Sequence, residues 1–375
     1  MLYDEFEKAS VKFDKYILIA VGLLLIIGIL MVYSASNAFS REQLGDSLHY
    51  LKRHLIYCGI GLVLMFVAMW IDYRRYQRLA WVMIAFSLIL LVLIFIPGVG
   101  VKIGGSTRWI KIGNFTFQPV EIAKLALIVY MARFLSKKND NVKSFKRGIL
   151  PFLVIISVYL GLLCAQPDFG SVILIVFLAF ILLFIGGARV LHLVSLGSVA
   201  IVFIVVGVLL APYRVQRVLT FVNPWSDPEG TSYHIIQSLY ALGSGGVLGT
   251  GLGEGVQKLH YLPTPHTDSI FSVIGEELGF VGASILVILF MIVVWRGIRI
   301  SLKTDDRFGS LLAVGISCLI GIQTIINVGV ATGSLPSKGI TLPFISFGGS
   351  SLLMSLIAIG VLLNISKNRV LSDND

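Results

Sequence analysis

The sequence predicts an all-α protein that crosses a membrane about ten times. Of its 375 residues, 56% are hydrophobic and 13% are charged, whereas a soluble protein of this length carries about 25% charged residues. Apolar windows of about 20 residues, the length that spans a bilayer as a helix, recur along the whole chain. One long polar interruption, residues 213–267, falls between the seventh and eighth windows.

Apart from that interruption, the predicted spans are joined by shorter segments. The fourth span is the least hydrophobic, and the fifth and sixth are separated only by the turn at residues 166–170. The first is too long for the core of a signal peptide, so we expect it to remain in the mature protein. Residues 1–375 are expected to form a single transmembrane domain. The spans lie near residues 16–35, 54–71, 79–97, 119–136, 148–165, 170–187, 191–212, 269–295, 309–332 and 344–366.

The distribution of Lys and Arg predicts that both termini are cytoplasmic, since loops rich in these residues remain on that side of the membrane. With the N-terminus inside, cytoplasmic segments hold 19 of the 30 basic residues and external segments hold 10, while Lys124 lies within a span. The net charge of +10 then reflects membrane orientation and requires no nucleic-acid partner. The three cysteines lie far apart in apolar runs, which predicts neither a disulfide framework nor a metal site.

The orientation makes residues 213–267 extracytoplasmic. Connections of this length are usually functional or disordered. Apolar residues at helical spacing favour order here and predict a helix that lies in the membrane interface; these residues are Ile235, Leu239 and Leu242. Residues 243–255 hold 7 glycines in 13 positions, without the Gly-Lys-Ser/Thr ending of a phosphate-binding loop. Tight turns that allow close backbone approach are the better interpretation.

The stretch Tyr261–Phe280 places a carboxylate at the outer mouth of the eighth span. Its two prolines prevent a helix before Thr267, so Asp268 stands where the span begins. An ionisable group at such a position is a candidate functional residue, although an Asp there can also act only as a helix N-cap. Helical periodicity turns Glu277 away from the face of Asp268.

Other ionisable residues lie at the ends of spans. Glu121 and Lys124 are three residues apart and can pair inside the bundle, either to fix helix packing or to contact a substrate. Asp168 is expected to cap the sixth helix, in preference to a catalytic role. Lys338 is the one charge in residues 333–351, a segment broken by Pro and Gly; irregular backbone at membrane depth must be buried in protein or line a wet cavity.

Several cations are predicted on the outer side. Arg108 is expected on the outer surface before the fourth span, and three further cations lie in the long loop. Arg and Lys side chains suit a diphosphate, although they also reach toward lipid headgroups; these loop residues are Arg214, Arg217 and Lys258. The chain thus predicts a polar cavity that opens outward, lined by carboxylates and cations. Cytosolic nucleotides cannot reach such a cavity. An enzyme there would take a substrate delivered in the membrane, and a transporter fits the same composition.

Seven segments, in order and with matching spacing, carry a family resemblance that runs from the first span to the last. Together they resemble the SEDS family (shape, elongation, division and sporulation), the peptidoglycan polymerases typified by RodA, FtsW and SpoVE. The forms of residues 338–344 and 223–225 are more similar to the FtsW/SpoVE branch. The segments are YSAS, GSTRWI with QPVEIAKLA, QPDFGS, YRVQR with NPWSDPEG, QSLYALGSGG with GTGLGEGVQK, the stretch Tyr261–Phe280, and LPSKGITLPFISFGGSS.

The resemblance implies polymerisation of lipid II into glycan strands, with inversion at the sugar carbon. The family's catalytic aspartate lies in an HTD motif, which here is residues 266–268, so Asp268 would be the general base. A divalent cation (Mg or Mn) could share in stabilising the leaving diphosphate, but the sequence offers no evident ligand set for it. The candidate substrate-binding residues are Arg108, Glu121, Lys124, Asp168, Arg214, Arg217, Lys258, His266, Lys338 and Ser350.

The resemblance further implies a single-pass class B penicillin-binding protein as partner, other divisome proteins, contact with membrane lipid and a location in the bacterial cytoplasmic membrane, at the division septum. Two alternatives remain: a lipid II flippase, whose site would be expected near the bilayer midplane, and a structural scaffold of the division machinery. The chain departs from the family pattern at Val120, His234, Thr264, Ser269 and Phe347, where the family has Ser, Gln, Glu, Phe and Tyr. These changes affect the expected loop geometry more than the chemistry.

Overall fold

The computed structural model describes residues 13–103, 106–113, 115–137, 142, 144–228, 230, 232–259 and 261–367. The basic residues counted at the two termini, before residue 13 and after residue 367, lie outside the described residues. So do those at 138 and 143, between the fourth and fifth predicted spans, and positions 105 and 229 of the family segments.

Twelve α-helices and a small sheet form the described part of the chain. A π-helical turn, Phe145–Ile149, leads into α5, and a 3₁₀ turn, Pro224–Ser226, follows α8. The helices are α1 Lys15–Leu44, α2 His49–Trp70, α3 Tyr73–Leu93, α4 Pro119–Lys137, α5 Leu150–Ala165, α6 Phe169–Ile185, α7 Val190–Leu209, α8 Pro212–Val222, α9 Tyr233–Gly245, α10 Ile270–Leu302, α11 Arg307–Ala331 and α12 Gly349–Lys367.

The predicted fold class is confirmed, and the ten predicted spans correspond to α1–α7 and α10–α12. Within the described residues, seven helices are long and apolar enough to cross a membrane. The helices α5 and α6 are apolar but shorter, and α4 carries the charges of Glu121 and Lys124. The chain is therefore a multi-pass membrane protein.

The prediction of an entirely helical fold missed one element. Residues 100–117 form a three-stranded antiparallel sheet in the order β1-β2-β3, with β1 at Gly100–Ile103, β2 at Ser106–Ile112 and β3 at Phe115–Phe117. Gly100 pairs with Ile110, and Ile110 pairs in turn with Phe117. Strands of three to seven residues give too little alternation to stand out beside long apolar spans. The sheet brings Arg108 to the turn between α5 and α6, where its guanidinium donates to Gln166 O and Pro167 O.

The centre of the bundle is formed by α4, α10, α11 and α12. Helix α12 packs on α2, and α10 packs on α1, α9 and α11. The close approach of α12 to α2 depends on a small residue, because a Cβ at Gly360 would lie 2.3 Å from the carbonyl oxygen of Met65. Small residues are expected at such contacts, since lipid supplies no hydrophobic driving force for the association of helices. At the edge, Leu193 is the one buried residue of α7, so this helix presents its apolar side chains to lipid.

The long connection at residues 213–267 contains α8 and α9. Helix α9 is present where predicted, and its apolar face packs on protein, while its place in the membrane interface stays a prediction. Ile235 and Ala241 are buried, and the side chain of Leu242 fills the space beside Gly275 of α10. Helix α8 has the exposed apolar face instead, formed by Val218, Leu219 and Val222.

The glycine-rich segment 243–255 makes the predicted close backbone approaches. Helix α10 breaks at Gly279, whose φ is 65°. The interrupted helix bonds to the loop, because Thr250 N donates to Glu276 O at 2.9 Å and Phe280 N donates to Gly246 O at 2.9 Å. A Cβ at Gly249 would lie 2.1 Å from the carbonyl oxygen of Glu277, so only glycine fits.

Candidate active site

Asp268 is not the N-cap of α10. The helix begins at Ile270 and its N-cap residue is Ser269, so the carboxylate stands before the helix rather than on its first turn. Within the described residues this carboxylate accepts no hydrogen bond and joins no ion pair. The interpretation that Asp268 serves only as a cap is therefore wrong.

The backbone on both sides of Asp268 is held by α11 and by residues 340–347. The side-chain amide of Asn327 donates to the carbonyl oxygens of Asp268, at 3.0 Å, and of Ile340, at 2.7 Å. Ser346 Oγ donates to Thr267 O at 2.7 Å, and Phe347 N donates to His266 O at 2.8 Å. The part of the irregular segment that is buried in protein, residues 340–346, thus holds the loop that carries Asp268.

His266 packs in an aromatic cluster. Its ring centroid lies 4.4 Å from that of Tyr50, 5.7 Å from that of Phe39 and 5.8 Å from that of Phe347. Burial lowers the pKa of His266 to about 4, so the imidazole is neutral at physiological pH. These contacts fix the loop that ends at Asp268.

Gly339 lies directly against the carboxylate of Asp268. A Cβ at this position would lie 2.7 Å from Asp268 Oδ2, so a side chain there would displace the carboxylate or be displaced by it. Its neighbour Lys338 points to the ring of Phe169, with Nζ 5.0 Å from the centroid. Burial, reinforced by Arg217, lowers the pKa of Lys338 to about 8.

Four cations from three parts of the fold lie near Phe169 and Asp168. They are Arg108 from β2, Arg214 and Arg217 from α8, and Lys338 from the segment before α12. We call them the cation group. The guanidinium of Arg214 lies 4.5 Å from the ring centroid of Phe169, and Arg217 Nη1 donates to Ser337 O at 3.5 Å. Arg108 Nη1 lies 3.5 Å from Asp168 Oδ1.

The surroundings set the protonation of Asp268. Burial raises the pKa of Asp268 from its ordinary 3.8 to about 6, and the positive charge of Arg108 partly opposes that rise. A carboxyl group with this pKa is mostly ionised at neutral pH, yet it binds a proton more readily than an exposed Asp. That combination suits a general base.

Asp168 has the capping role that the sequence favoured. It is the N-cap of α6 and accepts hydrogen bonds from Ser171 N at 3.4 Å and Ser171 Oγ at 2.7 Å. Because Asp168 also pairs with Arg108, it anchors one member of the cation group.

The remaining predicted residues make contacts elsewhere. Lys258 Nζ lies 2.5 Å from Glu277 Oε1 and 2.8 Å from Ser34 Oγ. The pair Glu121–Lys124 is buried in α4 with 2.7 Å between its charged atoms, so the predicted pairing forms. Ser350 Oγ accepts from Gln118 N at 2.9 Å at the start of α4.

Three residues beside Asp268 were not singled out as site residues by the sequence. A signal was available for Asn327, since an amide inside an apolar span is unusual and tends to be functional. His234 was noted only as a departure from the family pattern, and Gly339 gave no signal, because their contacts with Ser269 and Asp268 are made across the fold. Among the described residues, no group of three or more His, Cys, Asp or Glu side chains is placed to hold a metal ion.

Comparison with known proteins agrees with this architecture. Residues 14–371 match the family model FTSW_RODA_SPOVE, described as "Cell cycle protein". The chain is 47% identical over 355 residues to Stage V sporulation protein E of Bacillus subtilis, covering 94% of this chain and 97% of that protein. It is 46% identical over 355 residues to the Probable peptidoglycan glycosyltransferase FtsW of Trichlorobacter lovleyi, covering 95% and 93%.

Two solved structures are similar along nearly the whole length. One is a chain of a peptidoglycan synthase complex that coordinates polymerization and crosslinking, with a TM-score of 0.79 and 30% identity, covering 96% of this chain and 99% of that one. The other is the rod shape determining protein RodA of Thermus thermophilus, with a TM-score of 0.72 and 27% identity, covering 96% and 99%.

Proposed function

This chain belongs to the FtsW/RodA/SpoVE family, and we propose that it is a peptidoglycan glycosyltransferase that polymerises lipid II on the outer face of the bacterial cytoplasmic membrane. The observation that carries the proposal is the carboxylate of Asp268, which is partly buried, has no hydrogen-bond or ion-pair partner among the described residues, and lies within reach of the charge of Arg108, one of the cation group. A carboxylate that served structure alone would be expected to be paired.

In the proposed reaction Asp268 acts as the general base. It takes the proton from the 4-hydroxyl of the acceptor sugar while that oxygen bonds to the anomeric carbon of the donor. The bond from this carbon to the lipid diphosphate breaks, the electron pair leaves with the diphosphate, and the anomeric configuration inverts. A positioned base contributes about 10²–10⁴-fold to such a step.

The cation group supplies the second requirement, which is stabilisation of the leaving diphosphate. Preorganised charges in a water-poor site stabilise developing negative charge strongly, and Arg side chains match phosphate oxygens with two donors each. The stacking of Arg214 on Phe169 and the anchoring of Arg108 by Asp168 fix two of these charges in advance. Gly339 leaves room at the carboxylate for the acceptor hydroxyl.

We further propose that the chain works with a class B penicillin-binding protein and other divisome proteins at the division septum, with both termini in the cytoplasm. Support comes from the similar chain that functions within a synthase complex coordinating polymerization and crosslinking. Co-purification with a tagged candidate partner tests this, and repeated failure to recover the pair would count against it.

The test of function is gel-resolved polymerisation of labelled lipid II by the purified chain with its partner, run beside Asp268→Asn. Asp46→Asn is the matched control, because Asp46 is an external carboxylate paired with exposed Lys52. We expect polymer from the wild type and the control, and none from Asp268→Asn, with lipid II binding retained in all three. Equal polymer from wild type and Asp268→Asn would overturn the assignment. Lipid II transport between leaflets without polymer would favour the flippase alternative.

A further inference from the structure

His234 of α9 reaches the residue that follows Asp268. Its Nε2 lies 2.8 Å from Ser269 Oγ, and Ser269 is 1% exposed. Since Ser269 is also the N-cap residue of α10, this contact joins α9 to the junction between the catalytic loop and the helix.

The direction of this contact follows from the proton count. Ser269 Oγ has one proton and two neighbours, Pro263 O at 3.3 Å and His234 Nε2 at 2.8 Å, and the carbonyl oxygen can only accept. Both contacts are made at once when Ser269 Oγ donates to Pro263 O and accepts from His234, so we assign the imidazole proton to Nε2. This assignment leaves His234 Nδ1 as a buried acceptor, rather than a buried donor, without a partner among the described residues. Burial and the charge of Arg217 lower the pKa of His234, which favours the neutral imidazole.

The hydrogen bond from His234 holds a side of the Asp268 loop that the other hydrogen bonds to this loop do not reach. Ser346 and Asn327 hold the carbonyl oxygens of Thr267 and Asp268 from the side of α11 and α12. The donation from His234 is the side-chain bond that holds Ser269 from the side of α9, and through Pro263 it also closes the proline turn that precedes the HTD segment.

His234 also lies between the two halves of the proposed site. Arg217 is close enough for its charge to act on the imidazole, and its guanidinium reaches Ser337 O, two residues before Gly339, which touches the carboxylate. The same histidine therefore neighbours a cation proposed to hold the diphosphate and the backbone that carries the base.

From this geometry we infer that His234 is a positioning residue for the reaction: its Nε2–H, acting through Ser269 Oγ, holds Asp268 at the place where it meets the acceptor hydroxyl. This inference rests on the proposed function.

The test is a double-mutant cycle on the full chain with its partner, using His234→Ala, Ser269→Ala and the double variant. We expect each single change to lower kcat for lipid II polymerisation about 10- to 100-fold, the range of a small misplacement of a catalytic group, with KM unchanged. The double variant should lose no more than the worse single variant, since both changes remove one contact.

Conservative variants separate positioning from folding. His234→Gln retains an N–H donor and Ser269→Thr retains the hydroxyl, so both are expected to keep most of kcat even if the Ala variants fold poorly. His192→Ala is the control, because His192 also has a buried Nδ1 without a described partner but packs on Phe145. Three results would each overturn the inference. The first is a wild-type kcat in His234→Ala, and the second is an equal loss of kcat in His234→Gln and His234→Ala. The third is a double variant whose loss of kcat is the product of the two single losses.

Hydrogen exchange of residues 262–269 gives a readout that does not depend on activity. Faster exchange in His234→Ala and Ser269→Ala, but not in His234→Gln or the control, is expected. If the wild type makes no polymer while this exchange pattern is observed, the proposed function fails and the positioning contact stands. If the wild type polymerises and both exchange and kcat are unchanged in His234→Ala, the positioning role fails and the function stands.

Discussion

Asp268 and Glu277 are two carboxylates nine residues apart with opposite surroundings. Glu277 accepts from Ser34 at 2.6 Å, pairs with Lys258 at 2.5 Å and accepts from Gly253 N at 3.1 Å. Asp268 has no such partner among the described residues and sits against Gly339. The difference teaches that the fully buried carboxylate, Glu277, is compensated and structural, whereas the partly buried one, Asp268, stands unpaired near a cation and, in the proposed function, is available for chemistry.

Glu276 is an intermediate case, because its Oε2 is buried without a hydrogen-bond partner among the described residues. Its Oε1 accepts from the backbone N–H groups of Val256, at 2.7 Å, and Gln257, at 3.0 Å. Together with Glu277 it ties the glycine-rich loop to α10 just before the break at Gly279. These two carboxylates complete the hydrogen bonding of an irregular backbone, which is the condition for such backbone in a membrane protein.

The largest effect is expected when the two carboxylates are exchanged for amides in turn. Asp268→Asn should lower polymerisation by about 10²–10⁴-fold without lowering the melting temperature in detergent. Glu277→Gln should destabilise the fold by about 3–5 kcal/mol, since it leaves Lys258 buried and unpaired. Both variants are tested by thermal unfolding and by polymerisation. A melting temperature below that of the wild type in Asp268→Asn, but not in Glu277→Gln, would contradict the contrast between the two carboxylates. The double change Glu277→Gln/Lys258→Met should recover part of the lost stability.

A second effect is expected at Gly339. Gly339→Ala introduces a Cβ that would lie 2.7 Å from Asp268 Oδ2, so the carboxylate must shift. We expect kcat to fall about 10- to 100-fold, with little change in melting temperature. Gly161→Ala is the control, because a Cβ there meets nothing within 4 Å. Full activity of Gly339→Ala would mean that the position of the carboxylate is not critical.

A third effect concerns stability against pH. The pKa of Asp268 in the folded protein, about 6, lies above its ordinary 3.8, so the folded state favours the protonated form. Its contribution to stability is full below about pH 4 and is lost as the pH rises through 6. Asp268→Asn should therefore match the wild type near pH 4 and be more stable by about 1–3 kcal/mol at pH 8. Denaturation at the two pH values measures this, and a less stable variant at pH 8 would contradict the unpaired state.

The smallest effect is expected from the charge that faces Asp268. The kcat/KM of the wild type should rise as the pH increases through about 6, since Asp268 must lose its proton to act as a base. Arg108 opposes the rise in pKa, so Arg108→Gln should move this midpoint to higher pH. Lys111→Gln, an exposed change on the same strand, is the control and should leave the midpoint unchanged. A midpoint that moved downward in Arg108→Gln would exclude a direct charge effect.

Sequence patterns determined the spans, the external loop and the position of Asp268 at its edge, because hydrophobic length and turn residues act locally. They also indicated the ion pair of Glu121 with Lys124 and the cap at Asp168, since partners three residues apart on a helix must meet. The sheet at residues 100–117 was missed, because its strands are short. Helical periodicity turned Glu277 away from the face of Asp268 but could not identify its partners, because Ser34 and the loop at residues 253–258 lie outside its helix.

What the tertiary structure decided is which charges are paired. Lys258 and Arg217 are indistinguishable as cations of one external loop, yet Lys258 is bound to Glu277 and Ser34 while Arg217 reaches the segment beside Asp268. The amino-acid sequence determines which groups must enter the membrane and where helices begin and end. The state of each buried charge depends on side chains brought together from distant positions, because desolvation and Coulomb attraction act through space rather than along the chain.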